Sequence, residues 1–283
     1  MTSENSSYSE PVATLLTLGR RPRGPEQWVE YQRYGFTLEH VPDLMRLAVD
    51  TQFDEYEDTR PELWALLHAW RVLGHLRAEA AIPLLVSLFD RADTEYGDEW
   101  AMEELPHILA MIGPAVFPAA EAYVLSAAKG LWGRSAACAT LSVLAESFPE
   151  TRDAAVQSLI ALLSRYAENS NDVNAMAVGT LLDLKAIEAA PAMEAAFAAD
   201  RVTLNVSGDW EEAQIELGLL AERITPKPYW GWAAHERLAP GQAIEIQPAA
   251  KRQPDVADRK RKQARKQAKE TKKKQRAPKK KKR

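Results

Sequence analysis

Five histidines and one cysteine are the side chains best suited to metal, acid-base or nucleophilic chemistry in this sequence,. His68 and His75 lie seven residues apart, nearly on one helical face two turns on, and His107 follows Glu103 and Glu104. A mixed histidine and carboxylate metal site is conceivable from that set. Yet no pair among His40, His68, His75, His107 and His235 has the i, i+4 spacing of a zinc helix, and no second cysteine is available to help,. Packed or surface histidines without metal are therefore expected. Cys138 stands in Ala136-Ala137-Cys138-Ala139-Thr140-Leu141, with only Arg134 one turn back to lower its pKa,. It reads as a buried thiol that behaves as a small hydrophobe. No catalytic residue and no cofactor follows from this inventory, so an enzyme is not expected.

The elements that must position these residues read as helix after helix from about Pro11 to Glu222. Apolar residues recur at helical spacing in Leu63, Leu66, Leu67, Trp70, Leu73 and again in Val156, Leu159, Ile160, Leu163,. Helix starts are marked by the capping-box spacing of Thr59-Arg60-Pro61-Glu62, by Asp98 ahead of Trp100, and by Asp209 ahead of Trp210-Glu211-Glu212,. Only the stretch from Pro240 to Pro248 hints at an extended piece.

The composition bounds the class. The 283 residues are 46% hydrophobic and 27% charged with one cysteine, which suits an ordinary soluble core and not a disulfide-stapled secreted domain,. No apolar run approaches the roughly 20 residues of a membrane span. The N-terminus is polar and carries Glu4 where a signal peptide needs a basic flank, so a cytoplasmic protein is expected,.

The net charge of −4 hides a split. Lys251 to Arg283 holds 18 basic and 3 acidic residues, a balance of +15, while the remaining 250 residues hold 18 and 37, a balance of −19. The basic positions cluster as Arg259, Lys260, Arg261, Lys262, then Lys272, Lys273, Lys274, then Lys279, Lys280, Lys281, Lys282, Arg283. With Val256 as its one large aliphatic and no aromatic, this tail cannot bury enough apolar surface to offset ordering, and it reads as disordered. Its contacts with phosphate or an acidic protein would be sequence-indifferent and salt-sensitive. The tail would act on another molecule or fold back on its own acidic body; both stay open.

The body repeats itself. Leu76-Arg77-Ala78-Glu79-Ala80-Ala81-Ile82-Pro83 matches Leu184-Lys185-Ala186-Ile187-Glu188-Ala189-Ala190-Pro191 at an offset of 108, three times 36. Apolar pairs at Leu88-Phe89, Tyr123-Val124, Leu159-Ile160 and Ala196-Phe197 fall between at steps of 35, 36 and 37. Trp28, Trp64, Trp100 and Trp132 follow at 36, 36 and 32, and inter-repeat packing is expected of the last three,. A period near 36 with two helices per unit predicts an all-α helical-hairpin solenoid of about five units.

Alanine-rich first helices ending in Leu-Gly, as in Ala69-Trp70-Arg71-Val72-Leu73-Gly74 and Met111-Ile112-Gly113, followed by second helices such as Ala80 to Phe89, resemble HEAT-like repeats of the short form recognised in phycobilisome lyases. The resemblance spans roughly Trp28 to Leu220; Glu146-Ser147-Phe148-Pro149 departs from it. Composition and periodicity together divide the chain into a disordered N-terminus at 1–10, a solenoid at 11–222, a capping or linker segment at 223–250 and the tail at 251–283. Solenoid curvature and the acidic balance lead to an expected function as a protein-protein adaptor that binds a client along an acidic groove of second helices, through Glu79, Glu121 and Glu194,. Tyr229, Trp230 and Trp232 either cap the last unit or dock a partner. The alternative implied is a lyase or chaperone assisting prosthetic-group attachment to a client, for which no lyase-specific residue is matched.

Overall fold

The computed structural model describes residues 8–20, 25–53, 60–94 and 98–227, all within Met1–Trp230, the first of the two units into which the chain divides. Thr59, the Pro240 to Pro248 stretch, Tyr229, Trp230, Trp232 and the whole basic tail lie outside the described residues.

The described residues are all-helical, without a strand. Twelve α-helices follow one another: α1 Val41–Leu47, α2 Ala65–His75, α3 Ile82–Ser87, α4 Glu99–Glu103, α5 Leu105–Ile112, α6 Phe117–Leu125, α7 Leu131–Ser147, α8 Arg152–Leu163, α9 Asn171–Asp183, α10 Ala190–Ala198, α11 Leu204–Ser207 and α12 Trp210–Glu216. The aspartate caps form as read. The Asp98 side chain accepts the Ala101 N–H at 3.1 Å and Asp209 that of Glu212 at 3.0 Å, satisfying donors that α4 and α12 cannot satisfy internally,.

The repeat is visible in the backbone. A three-residue 3-10 turn beginning at Leu38, Glu79, Pro114, Pro149 and Ile187 runs directly into α1, α3, α6, α8 and α10, at steps of 41, 35, 35 and 38 residues. In four of those helices a proline occupies the first turn, where a missing N–H costs nothing because that donor has no intrahelical partner,. The matched turns at Leu76 and Leu184 are alike atom for atom. Ala78 N–H donates to the Leu73 carbonyl and Ala186 N–H to that of Leu181, both at 3.0 Å; Arg77 and Lys185 both sit at φ +50. Each is a Schellman ending of the preceding helix, built with a long basic residue where glycine is usual.

Helices meet their counterparts one unit on. α2 packs on α5, α5 on α7 and α7 on α9, while α3 packs on α6, α6 on α8 and α8 on α10. Leu85, Leu109, Leu141, Leu159 and Leu181, all fully buried, fill the space between, each worth about 1.5–3 kcal/mol of removal from water,. Gly74 sets one crossing: a Cβ there would lie 2.9 Å from the Ile108 carbonyl oxygen, so α2 and α5 approach more closely than a side chain would permit,.

The N-terminal stretch differs from the reading as a helical unit. Val12–Thr17, Pro25–Gln27 and Tyr31–Tyr34 are isolated 3-10 turns, because Gly19, Pro25 and Gly35 interrupt any longer run,. This stretch covers α2, of which Ala65 through Gly74 are all buried. Tyr8, ahead of the expected boundary at residue 10, is buried too, and its hydroxyl donates to Asp50 at 2.6 Å.

The tryptophan expectation holds for two rings of three. Trp64 and Trp100 are half-buried and meet edge to face, centroids 5.3 Å apart,. Trp132 is 46% exposed. The inward position at that helix start belongs to Gly133, where even a Cβ would come within 2.3 Å of the Tyr123 hydroxyl, so the neighbouring indole is turned outward.

Candidate functional site

The residues singled out for chemistry are placed by packing. His68 is fully buried on α2, its Nε2–H donating to the Gly19 carbonyl at 2.8 Å. A carbonyl can only accept, so Nε2 carries a proton, and Nδ1 shares a hydrogen bond with the Tyr31 hydroxyl at 2.6 Å, making the ring a tie between α2 and the covering stretch,. His40 accepts the Thr37 N–H at 3.0 Å in a capping box. His75 is half-buried at the end of α2, His107 is exposed on α5, and His235 lies outside the described residues. Among the described residues no group of three or more His, Cys, Asp or Glu is placed to hold a metal ion.

Cys138 is buried, and burial pushes its thiol up to about 12 against a small opposing pull from Arg134. A thiol held protonated in that way is a poor nucleophile at neutral pH.

Of the three carboxylates expected to contact a client, Glu79 is exposed on the turn before α3 and Glu194 is exposed on α10. Glu121, half-buried on α6, accepts from the Ser158 hydroxyl of α8 and so joins the two second helices. The outward positions of the second helices are mostly small: Ala122, Ala154, Ala161, Ala195 and Ala198. Asp93, Asp98 and Glu104 are engaged internally. Asp93 accepts the N–H groups of Trp132 and Gly133, both at 2.9 Å, and thereby caps α7 from the preceding unit,. Glu104 forms a bidentate pair with Arg71 at 2.8 and 3.0 Å, both side chains essentially without solvent exposure.

The basic side chains are also engaged internally, several of them on backbone. Arg134 donates to the Val124 carbonyl, Arg165 to that of Leu125, and Arg201 to those of Ala167 and Asn169, tying each unit to the one before. These guanidiniums satisfy helix-end carbonyls and leave carboxylates elsewhere unneutralised. Asp90 is one acid with partners: burial pushes its carboxyl up, but hydrogen bonds from Lys129 and Tyr123 outweigh that and hold it below the usual range.

Sequence reasoning missed a groove on the first-helix side. Two adjoining hollows of about 400 and 300 Å3 share His107 and Val143 and run between α5 and α7. Their walls are Met102, Pro106, Met111, Ala139, Val143 and Phe148, with Glu103 and Glu104 in one hollow, Arg77 in the other and His107 common to both. Arg77 is exposed there. It is the one lysine or arginine among the described residues with no hydrogen bond, ion pair or ring contact. The sequence signal was Met102, Met111 and Val143 at outward helical positions, which is unreadable without knowing which stretches cover the first helices.

Compared with known proteins, the chain matches no family model, no curated protein and no solved structure.

Proposed function

We propose that the chain is a HEAT-like α-solenoid adaptor without chemistry of its own. The body binds a client protein along its helical surface, and the basic tail, Lys251 to Arg283, adds an electrostatic contact to nucleic acid, the ribosome or an acidic partner. The observation that carries this reading is the turn-and-helix unit repeated five times, with α2, α5, α7 and α9 packed in one series and α3, α6, α8 and α10 in another,. A chain built that way offers a row of similar surfaces. The buried, protonated Cys138 and His68, with both ring nitrogens held by the protein's own groups, fit a scaffold better than a transferase,. For the tail, the support is its +15 balance and lack of aromatics, which suit phosphate contact and not base stacking,.

The test compares full-length protein with a form ending at Pro248, each titrated with a fluorescent 30-nucleotide RNA and used to capture clients at about 0.1 and 0.5 M salt, a range over which multi-phosphate contacts are largely lost. RNA binding should vanish with the tail, and at least one client should remain on the truncated body at the higher salt. A body that retains nothing, or a client that gains a covalent prosthetic group, would overturn the reading.

A further inference from the structure

The two matched turns differ in what their basic residues reach. Lys185 donates to the Glu216 carboxylate of α12, the next first helix, at 3.1 Å. Arg77 has the same backbone, but α5 presents no acid to it: the groove beside Arg77 is lined by His107, Ala110 and Met111. A cation held at φ +50 beside an apolar groove therefore lacks the carboxylate its counterpart has.

The flanking units show what kind of chain covers a first helix. Over α2 lies the protein's own N-terminal stretch, in 3-10 turns that bring Val12, Leu15, Trp28 and Tyr31 inward. Over α9 lies the short helix α11, whose Ser207 and Val206 come within 3.2 and 3.5 Å of where a Cβ on Gly179 would stand. In both places a short segment of the chain lies against the helix row; the N-terminal one turns Val12, Leu15 and Tyr31 into the core, whereas α11 buries none of its four residues. Between them, over α5 and α7, the described chain supplies no such segment, and Pro25 of the N-terminal stretch forms one wall of the open groove.

We propose that the groove between α5 and α7 takes a short apolar peptide segment of a client protein, with a carboxylate of that segment paired to Arg77 and His107 at its edge. This rests on the adaptor reading and names the surface and the partner's chemistry. The apolar walls supply burial, and the charge-assisted pair supplies register.

Panning a random dodecamer peptide library on the full-length protein, followed by anisotropy titration of the tightest labelled peptides, tests it. Arg77→Gly is the informative variant: it removes the cation but keeps the left-handed backbone that glycine adopts without strain, so the fold is retained. Selected peptides should combine large apolar residues with Asp, Glu or a free C-terminal carboxylate. Their affinity should fall about tenfold on Arg77→Gly, the loss expected for one charge-assisted hydrogen bond. Met111→Glu should weaken binding by a similar factor, with its folding checked by thermal unfolding. Basic peptides indifferent to Arg77→Gly would overturn this inference while leaving the adaptor reading intact. Acidic peptides that bind the variant as tightly, or no selection at all, would overturn it as well.

Discussion

The turn after α2 and the turn after α9 are two copies of one design set in different surroundings. Both place a basic residue at φ +50, both close with the same pair of backbone hydrogen bonds, and both lead through a 3-10 turn into a helix with proline in its first turn. The difference lies in the first helix that follows. At the second copy, Lys185 finds Glu216. At the first copy, α2 and α5 are drawn together by Gly74 and by the buried Arg71–Glu104 pair, under the Trp28 ring 4.9 Å from the guanidinium. The positions 108 residues on from Arg71 and Glu104 are Gly179 and Glu212, and Glu212 is instead partly exposed beside Arg223 and Lys227. Identical local structure thus coexists with a dry ionic joint in one unit and a solvated one in the other.

The largest way to break that comparison is to remove the buried carboxylate. Glu104→Ala should cost about 3–5 kcal/mol in urea unfolding, because Arg71 would be left charged and buried. The corresponding change, Glu212→Ala, should cost only about 1 kcal/mol, because Arg223 keeps its bidentate pair with Asp209 and Lys227 is open to water,. Equal losses would mean that the two joints are energetically alike. A smaller effect is expected from Gly74→Ala, which pushes a methyl group against the Ile108 carbonyl. Helix propensity gains about 1 kcal/mol there, and crowding against a backbone atom costs more, for a net loss of about 1–2 kcal/mol read from the unfolding midpoint.

The smallest effect sharpens the comparison most. Arg77→Gly and Lys185→Gly both relieve a non-glycine left-handed residue, which outweighs the backbone entropy of glycine and should stabilise the fold by up to about 1 kcal/mol. Lys185→Gly also loses the pair with Glu216, whose side chains are 63% and 47% exposed and whose worth is therefore at most about 1 kcal/mol,. Arg77→Gly should consequently be the more stabilising of the two in thermal unfolding. The reverse order would show that the Arg77 side chain holds the fold and is not left for a partner.

Much of the architecture was legible in advance where a residue acts on its own neighbours. The aspartate caps at Asp98 and Asp209, the prolines that open α3 and α10, and the matched octapeptides each determine a local backbone through hydrogen bonds a few residues long. Periodic leucines marked the buried faces for the same reason. The site was less legible. Glu121 reads like Glu194 from the sequence, yet Ser158, 37 residues away, engages the first and leaves the second exposed.

The amino-acid order by itself settled that this chain is helical, that it repeats at about three dozen residues, and that its acidic and basic residues are segregated, because those are properties of short windows and of counting. Only the packing of one unit on the next decided that Trp132 faces water, that Arg71 is dry, and that Arg77 stands alone at the edge of a groove. Those outcomes depend on which distant residue arrives at a given face, and the spacing of residues along one helix carries no record of what will be laid against it.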